Sequence, residues 1–361
     1  VNSLANSDIK ILLSGPITSN GGYGGNARCW VQALHSQGYD IRIQPFNDYN
    51  ANYQFNPQEQ AFYQSLLYDQ KELFVPDLLF NVSNPIGYQK KNVKQVCSTA
   101  WETDKVHTKF AEGLSTQDLV TVQSQFNLPL VQQFNANTKV VPLGVDLKTF
   151  YPEKLEKNAD EFVFVSNGKW EYRKNFRNLL VAFEKAFGGN RKVKLLIKTH
   201  LYGGVTQEDI TRVISENAPK ANIQINLHDI PTSHMRQLYN IGDVFVLPTR
   251  GEGFGIPFLE AMACGRPVIA PTLGGHRQFV DESNALLVKS RPQRIIPHGP
   301  YGPGMNMIES DVNDLCEKLK YAYHNRDAMK KLSEGALNTA KGLSIENVGK
   351  MMSDAINPVV S

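Results

Sequence analysis

The sequence predicts an α/β protein made of two doubly wound domains. Three observations lead there. Short apolar strands alternate with amphipathic helical stretches along most of the chain, the pattern of successive βαβ units. The 361 residues are enough for two domains, at roughly 100–200 residues each. A polar, charged stretch over residues 152–161 separates one strand–helix series from a second.

The first series opens with a strand at residues 9–14, a glycine-rich loop, an amphipathic helix over 26–37 closed by Gly38, and a strand at 39–43. Further strands are read at 78–82, 94–99, 119–122 and 139–142. The second series begins with a strand at 162–166. A helix over 176–187 follows, with Leu179, Leu180, Phe183 and Phe187 on one face, stopped by Gly188-Gly189. Strands at 193–198, 222–227 and 244–247 then alternate with helices at 208–217 and 233–241. Residues 290–307 fit neither period: four prolines, three glycines and two arginines read as a long loop. Open α/β sheets bind ligands at the carboxyl ends of their strands, so the cleft between two such domains is the expected site.

Composition narrows the function. Hydrophobic residues at 41 % and charged residues at 20 % exclude large-scale disorder. The longest apolar runs, such as 162–165 and 244–247, are strand-sized, far short of the ~20 residues that span a bilayer. No secretory leader is visible and the chain reads as soluble, although it begins at Val1 and a removed leader stays open. The 38 basic and 35 acidic residues leave a net charge of +3, too balanced for a typical nucleic-acid binder. Cys29, Cys97, Cys264 and Cys316 form no C-x-x-C pair and read as free thiols of a reducing cytoplasm.

The strongest chemical signal runs from Pro248 through Glu252-Gly253-Phe254-Gly255-Ile256-Pro257 to Glu260 and Gly265. It follows a strand and enters a short helix, with Pro257 in the first turn, Gly265 at the stop and the next strand at 267–270. Such a loop aims backbone N–H groups at the carboxyl edge of the sheet and makes an anion site. Glu252 and Glu260 beside a phosphate site are awkward unless they accept from hydroxyls, which a sugar and a ribose supply. Lys169 and Lys174 flank a turn after the strand at 162–166 and can offset charge building on a diphosphate leaving group. Arg173 is expected to face solvent or to stand behind the site. Residues 15–25 form a glycine-rich loop that is not a convincing dinucleotide fingerprint. Trp101-Glu102-Thr103-Asp104 follows the strand at 94–99 and reads as a sugar contact or as a helix-capping acidic cluster. The histidines show no zinc spacing, no D-x-D occurs, and no metal is expected; His228, His234 and His276 read as solvated or loop-packing.

The Glu252–Glu260 spacing resembles the E-x7-E element of retaining glycosyltransferases of the GT-B fold, family 4 type. Val141-Pro142-Leu143-Gly144-Val145-Asp146 resembles that family's domain junction, the 167–175 segment its basic phosphate-binding turn, and Gly274-Gly275 its usual glycine pair. The match is strong over 144–288 and weaker before it. It implies two facing Rossmann-like domains with the active site in the cleft between them. Residues 1–151 would bind the acceptor, with a C-terminal helix at about 345–361 expected to pack back onto them, and 152–344 would bind the donor. The implied activity moves a hexose-type sugar from UDP- or GDP-sugar to an acceptor hydroxyl, with retention and without metal or other cofactor. Lys169 and Lys174 would hold the diphosphate and Glu252 the sugar hydroxyls. Glu260 would hold the ribose, Gly253, Phe254 and Gly255 would supply backbone groups, Gly21 and Gly22 would line the cleft, and the base would meet backbone near Asp229 and Ile230. Many members have a histidine near Glu102, and that role is in doubt here. The expected location is the cytoplasm, with peripheral membrane association open, as are the acceptor (glycan, lipid-linked or protein) and the oligomeric state. Two rivals stay open: a non-catalytic sugar-nucleotide-binding module of the same fold, and a nucleotide-dependent oxidoreductase or epimerase on a Rossmann frame.

Overall fold

A computed structural model describes residues 5–46, 52–158 and 160–360. The chain divides into two compact units. Unit 1 comprises Val1–Asp146, Pro297–Gly302 and Gly342–Ser361, and unit 2 comprises Leu147–Ile296 and Pro303–Lys341.

Unit 1 is built on a six-stranded parallel sheet: β1 (Lys10–Gly15), β2 (Asp40–Pro45), β3 (Leu78–Val82), β4 (Lys94–Thr99), β5 (Leu119–Val122) and β6 (Thr138–Val140). Its order is β2-β1-β3-β4-β5-β6, with Leu13 opposite Ile43 on one side and Phe80 on the other. Ile11 and Leu13, alternate residues on one face of β1, are fully buried, while Leu12 on the opposite face is half-buried. The helices are α1 (Gly22–Ser36), α2 (Pro57–Ser65), α3 (Lys109–Ser115) and α4 (Leu128–Gln132). α1 starts four residues earlier than its apolar period indicates, so Gly22 to Gly25 form its first turn rather than a loop. The reason is packing: Ala27, Trp30, Val31 and Leu34 are buried, with Trp30 tilted against Phe80 at 6.3 Å. This burial outweighs the poor helix propensity of the glycines. The C-terminal helix, with its range given below, packs on α1. Tyr39 donates to Asn357 at 2.6 Å, and a side chain at Gly349 would collide with the Ala33 carbonyl.

Unit 2 repeats the plan with β7 (Phe162–Asn167), β8 (Val193–Lys198), β9 (Asn222–Asn226), β10 (Val244–Val246), β11 (Val268–Pro271) and β12 (Ala285–Val288). The parallel order is β12-β11-β10-β7-β8-β9. The chain therefore winds outward from β7 through β8 to β9, then returns to the other side of β7 at β10. The β7/β10 junction is the switch point, where two loops leave in opposite directions and open a crevice at the carboxyl edge. The helices are α5 (Phe176–Phe187), α6 (Gln207–Asn217), α7 (Thr232–Ile241), α8 (Ile256–Ala263), α9 (Val312–His324) and α10 (Arg326–Gly342), and α11 (Ile345–Val360) closes the chain on unit 1. Phe164, Phe183, Phe245 and Phe258 are buried in the core of unit 2.

The 290–307 segment is not simply a loop. Its ends form an antiparallel pair, β13 (Ser290–Arg294) and β14 (Asn306–Ser310). Pro292 is tolerated because β13 is an exposed edge strand of a two-stranded sheet. Among the described residues, no helix is long and apolar enough to cross a membrane. All four cysteines are buried and free.

Candidate active site

The two motif loops leave β7 and β10, the strands on either side of the switch point. After β7 a 3-10 turn, Tyr172–Lys174, ends at Asn175 in the left-handed region, φ 59°. After β10 the loop from Leu247 runs to Gly255, which caps α8 with φ 99°. No side chain suits that conformation, and a Cβ there would lie 2.9 Å from the Phe258 ring and 3.0 Å from His276. Gly275 brings the following loop close: its N–H donates to the Glu252 carbonyl at 2.8 Å, and a Cβ would stand 2.0 Å from the Gly253 carbonyl.

These loops bring Lys174 and Glu252 together. Lys174 Nζ donates to Glu252 Oε1 at 2.6 Å, and both side chains are 8 % exposed. Arg173 Nη1 stands 3.4 Å from the same oxygen and donates to the Gly251 carbonyl at 2.8 Å, while Nη2 meets Glu171 at 2.6 Å. Arg173 is therefore not solvent-facing; it stands behind the Lys174–Glu252 pair. Burial by itself would push the Glu252 carboxyl up. The Lys174 ammonium, then Arg173, outweigh burial and hold it below its ordinary value, so it is ionised at neutral pH.

Glu260 lies one turn into α8 and is held from a different direction. Tyr239 on α7 donates to Glu260 Oε2 at 2.7 Å, and Asn167 Nδ2 at the end of β7 donates to the Tyr239 hydroxyl at 3.3 Å. Burial, then the Glu260 charge, push the Tyr239 hydroxyl well above its usual value, so it stays a donor. Tyr239 carries no motif signal; its apolar periodicity within α7 marks it only as core.

Lys169, Asp229, Ile230 and Gly253 to Gly255, the remaining expected residues of unit 2, follow strands of the same sheet; Lys198, which ends a strand of it, and His200, which follows, are not singled out by the sequence. The Lys169 ammonium sits 4.6 Å from the centre of the Tyr202 ring. Lys198, at the end of β8, is buried and donates to the Thr199 carbonyl at 3.0 Å. Burial lowers its pKa while Asp229 raises it. His200 is lowered by burial, then by Lys198 and Lys169. Asp229 is exposed and Ile230 half-buried in the turn between β9 and α7. Gly253, Phe254 and Gly255 are buried, with Phe254 against Phe279 at 4.8 Å. His276 is fully buried beside Phe258 and lowered by burial to about 4, with Nε2 2.9 Å from the Pro271 carbonyl. It is a neutral packing group, in keeping with its sequence pattern.

In unit 1, Gly21 caps α1 and Gly22 opens it. The next residue, Tyr23, bonds through its hydroxyl to Asn84 Oδ1 at 2.7 Å and to Thr99 Oγ1 at 2.9 Å, tying α1 to the ends of β3 and β4. Glu102 accepts from the Tyr301 hydroxyl at 3.2 Å, and Trp101 packs on the Tyr301 ring at 5.5 Å. Among the described residues, no three His, Cys, Asp or Glu side chains form a metal-binding group.

The two six-stranded parallel sheets are those of the GT-B fold. Its fold matches sucrose-phosphate synthase from Thermosynechococcus elongatus with a TM-score of 0.71 at 18 % identity, covering 97 % of this chain and 99 % of that one. It also matches Anabaena HepE in complex with UDP and glucose, TM-score 0.69 at 13 % identity, covering 97 % and 100 %. Residues 148–298 match the model of the family described as glycosyl transferases group 1. Over 178 residues the chain is 32 % identical to D-inositol 3-phosphate glycosyltransferase of Geodermatophilus obscurus, covering 45 % of this chain and 40 % of that protein. It is 29 % identical over 192 residues to a GDP-mannose-dependent phosphatidylinositol monomannoside mannosyltransferase of Corynebacterium glutamicum, covering 48 % and 49 %. The chain thus spans less than half the length of these two curated relatives.

Proposed function

We infer that the protein is a glycosyltransferase that moves a hexose-type sugar from a nucleoside diphosphate sugar, UDP or GDP, to an acceptor hydroxyl with retention of configuration. The observation that carries the reading is the Lys174–Glu252 pair at the β7/β10 switch point, inside the stretch matched to the group 1 glycosyl transferases. A breaking glycosidic bond places negative charge on the departing diphosphate, and a preset ammonium stabilises that charge most in the transition state. Lys169 adds a second cation and the N-terminus of α8 adds backbone N–H groups through Phe254 and Gly255. Glu252 accepts from sugar hydroxyls, and Glu260, steadied by Tyr239, accepts from the ribose. No carboxylate stands out as a double-displacement nucleophile, so the reading is a front-face departure in which the leaving phosphate helps deprotonate the acceptor. With ammonium groups at the diphosphate, the reaction needs no metal; the proposed location is the cytoplasm, with or without peripheral membrane association.

A panel of nucleoside diphosphate sugars tests this. One UDP- or GDP-sugar is expected to raise the melting temperature by mass action and to be consumed in 5 mM EDTA at about the rate seen with magnesium. Binding without either transfer or slow hydrolysis would favour a non-catalytic module. A turnover that EDTA abolishes and magnesium restores would refute the metal-free reading.

A further inference from the structure

Glu309 lies on β14, beyond the stretch that matches the family, and no motif of the donor reading includes it. Its carboxylate nonetheless joins both loops of the site. Oε2 accepts from Arg250 Nε at 2.6 Å and Oε1 from Arg250 Nη2 at 3.3 Å, a two-pronged pair. Oε1 also accepts from Asn175 Nδ2 at 3.2 Å and from Asn178 Nδ2. The ion pair is shielded, with side-chain exposures of 11 % for Arg250 and 15 % for Glu309.

Each partner sits next to the cluster. Arg250 is two residues before Glu252. Its backbone N–H donates to the Arg173 carbonyl at 2.6 Å, its Nη1 donates to the Tyr172 carbonyl at 2.6 Å, and its guanidinium lies 4.0 Å from the Tyr172 ring centre. Asn175 immediately follows Lys174 and is the only non-glycine with positive φ among the described residues. Its Nδ2 also donates to the Pro248 carbonyl at 3.0 Å. β14 reinforces the link, because the Ile308 N–H donates to the Arg250 carbonyl at 2.8 Å.

We propose that Glu309 is a positioning residue: it locks the Tyr172–Asn175 turn against the 248–252 loop, so that Lys174 and Glu252 are held in register before any ligand arrives. Asparagine tolerates the left-handed region better than other side chains, and Glu309 supplies one of the bonds that hold Asn175 there. The inference rests on the donor reading for its consequence, and on the loop geometry alone for its mechanism.

The test uses the full chain as wild type, Glu309→Gln and Glu309→Ala. Glu309→Ala strips Arg250 of its counter-charge and risks the fold, so the shape-conserving glutamine carries the test equally. In the first arm, amide hydrogen exchange is measured without ligand. Both variants are expected to exchange about tenfold faster over residues 172–178 and 248–252, with the β7, β8 and β11 amides unchanged. In the second arm, calorimetry compares UDP with uridine and GDP with guanosine. The preferred diphosphate should lose about tenfold in affinity in Glu309→Ala and less in Glu309→Gln, with nucleoside affinity kept within about twofold. Unchanged loop exchange overturns the proposal, as does acceleration spread evenly over unit 2. Faster loops with the diphosphate increment intact overturn the link to Lys174. A wild type that gains nothing from either diphosphate refutes the donor reading, while the exchange arm still decides whether Glu309 locks the loops.

Discussion

Replacing Lys174 by methionine keeps the aliphatic stem and removes the ammonium that faces Glu252 at 2.6 Å. The carboxylate then remains buried at 8 % exposure, with Arg173 at 3.4 Å as its nearest cation. Removing one member of a buried pair typically costs about 3–5 kcal/mol. Because Arg173 still compensates in part, the lower end, about 3 kcal/mol at pH 7.5, is expected. With an m-value of about 2 kcal/mol/M the urea midpoint of unit 2 should fall by about 1.5 M. The pH dependence has a definite sign. In the wild type the Glu252 carboxyl is depressed, so its contribution to stability is present above the unfolded carboxylate value and is lost as pH falls through the folded one. In Lys174→Met burial is left under-compensated and the carboxyl rises, so protonation relieves the strain sooner and the penalty shrinks toward pH 5. Urea unfolding at pH 7.5, 6 and 5, followed through tryptophan fluorescence, reads this directly. Equal midpoints for wild type and variant at pH 7.5, or a penalty that does not change with pH, would refute the ion-pair reasoning. On the donor reading the same variant should lose about 10²–10³ in kcat with a smaller change in donor affinity.

Glu260→Ala should weaken nucleotide-sugar binding about ten- to a hundredfold, the worth of charge-assisted ribose bonds; Tyr239→Phe, which removes only the hydroxyl that steadies Glu260, should cost less by calorimetry. Lys169→Arg should keep most of the turnover, since a guanidinium can still stack on the Tyr202 ring, whereas Lys169→Ala should lose it in single-turnover assays. Gly255→Ala should destabilise by about 1–3 kcal/mol, because a side chain there meets both the left-handed backbone and the Phe258 ring; a thermal midpoint equal to wild type would count against the cap geometry.

The parts of the fold that were legible are those in which local pattern and burial agree. The strands at 78–82, 94–99, 119–122 and 193–198 and the helix at 176–187 have the boundaries that their apolar runs indicate. Glycine and proline density misled in two places. Residues 21–25 look like a loop by propensity, but the buried face from Ala27 to Leu34 carries helix α1 back to Gly22. Residues 290–307 look structureless by composition, but their ends pair as β13 and β14. Within the candidate site, the motif residues are singled out by spacing, whereas the side chains that contact them are not. The sequence leaves Arg173 either facing solvent or standing behind the site, because its partners, Gly251 and Glu252, lie 78 and 79 positions away. Glu309 is silent for the same reason: a lone glutamate on a short strand carries no period, and its value comes from Arg250 and Asn175, which only the fold brings near.

The charge balance of the cluster says what the motif alone cannot. Arg173 and Lys174 bring two positive charges, and Glu171 and Glu252 answer with two negative ones. Burying these charges is costly, and the cost is offset because each has an opposite partner in close contact, which is how a pair at 8 % exposure can exist in the unliganded chain. On the donor reading, a diphosphate arriving at Lys174 would meet Glu252 as well, and the two anions repel unless the carboxylate finds hydroxyl donors in place of the ammonium. A sugar attached to the diphosphate supplies such donors at the moment the phosphate needs the cation. On the donor reading, one ion pair thus couples recognition of the sugar to recognition of the phosphate. The rigid register of the two loops then matters as much as the identity of Lys174 and Glu252, because the exchange of partners works only while both stay within hydrogen-bond reach of one ligand.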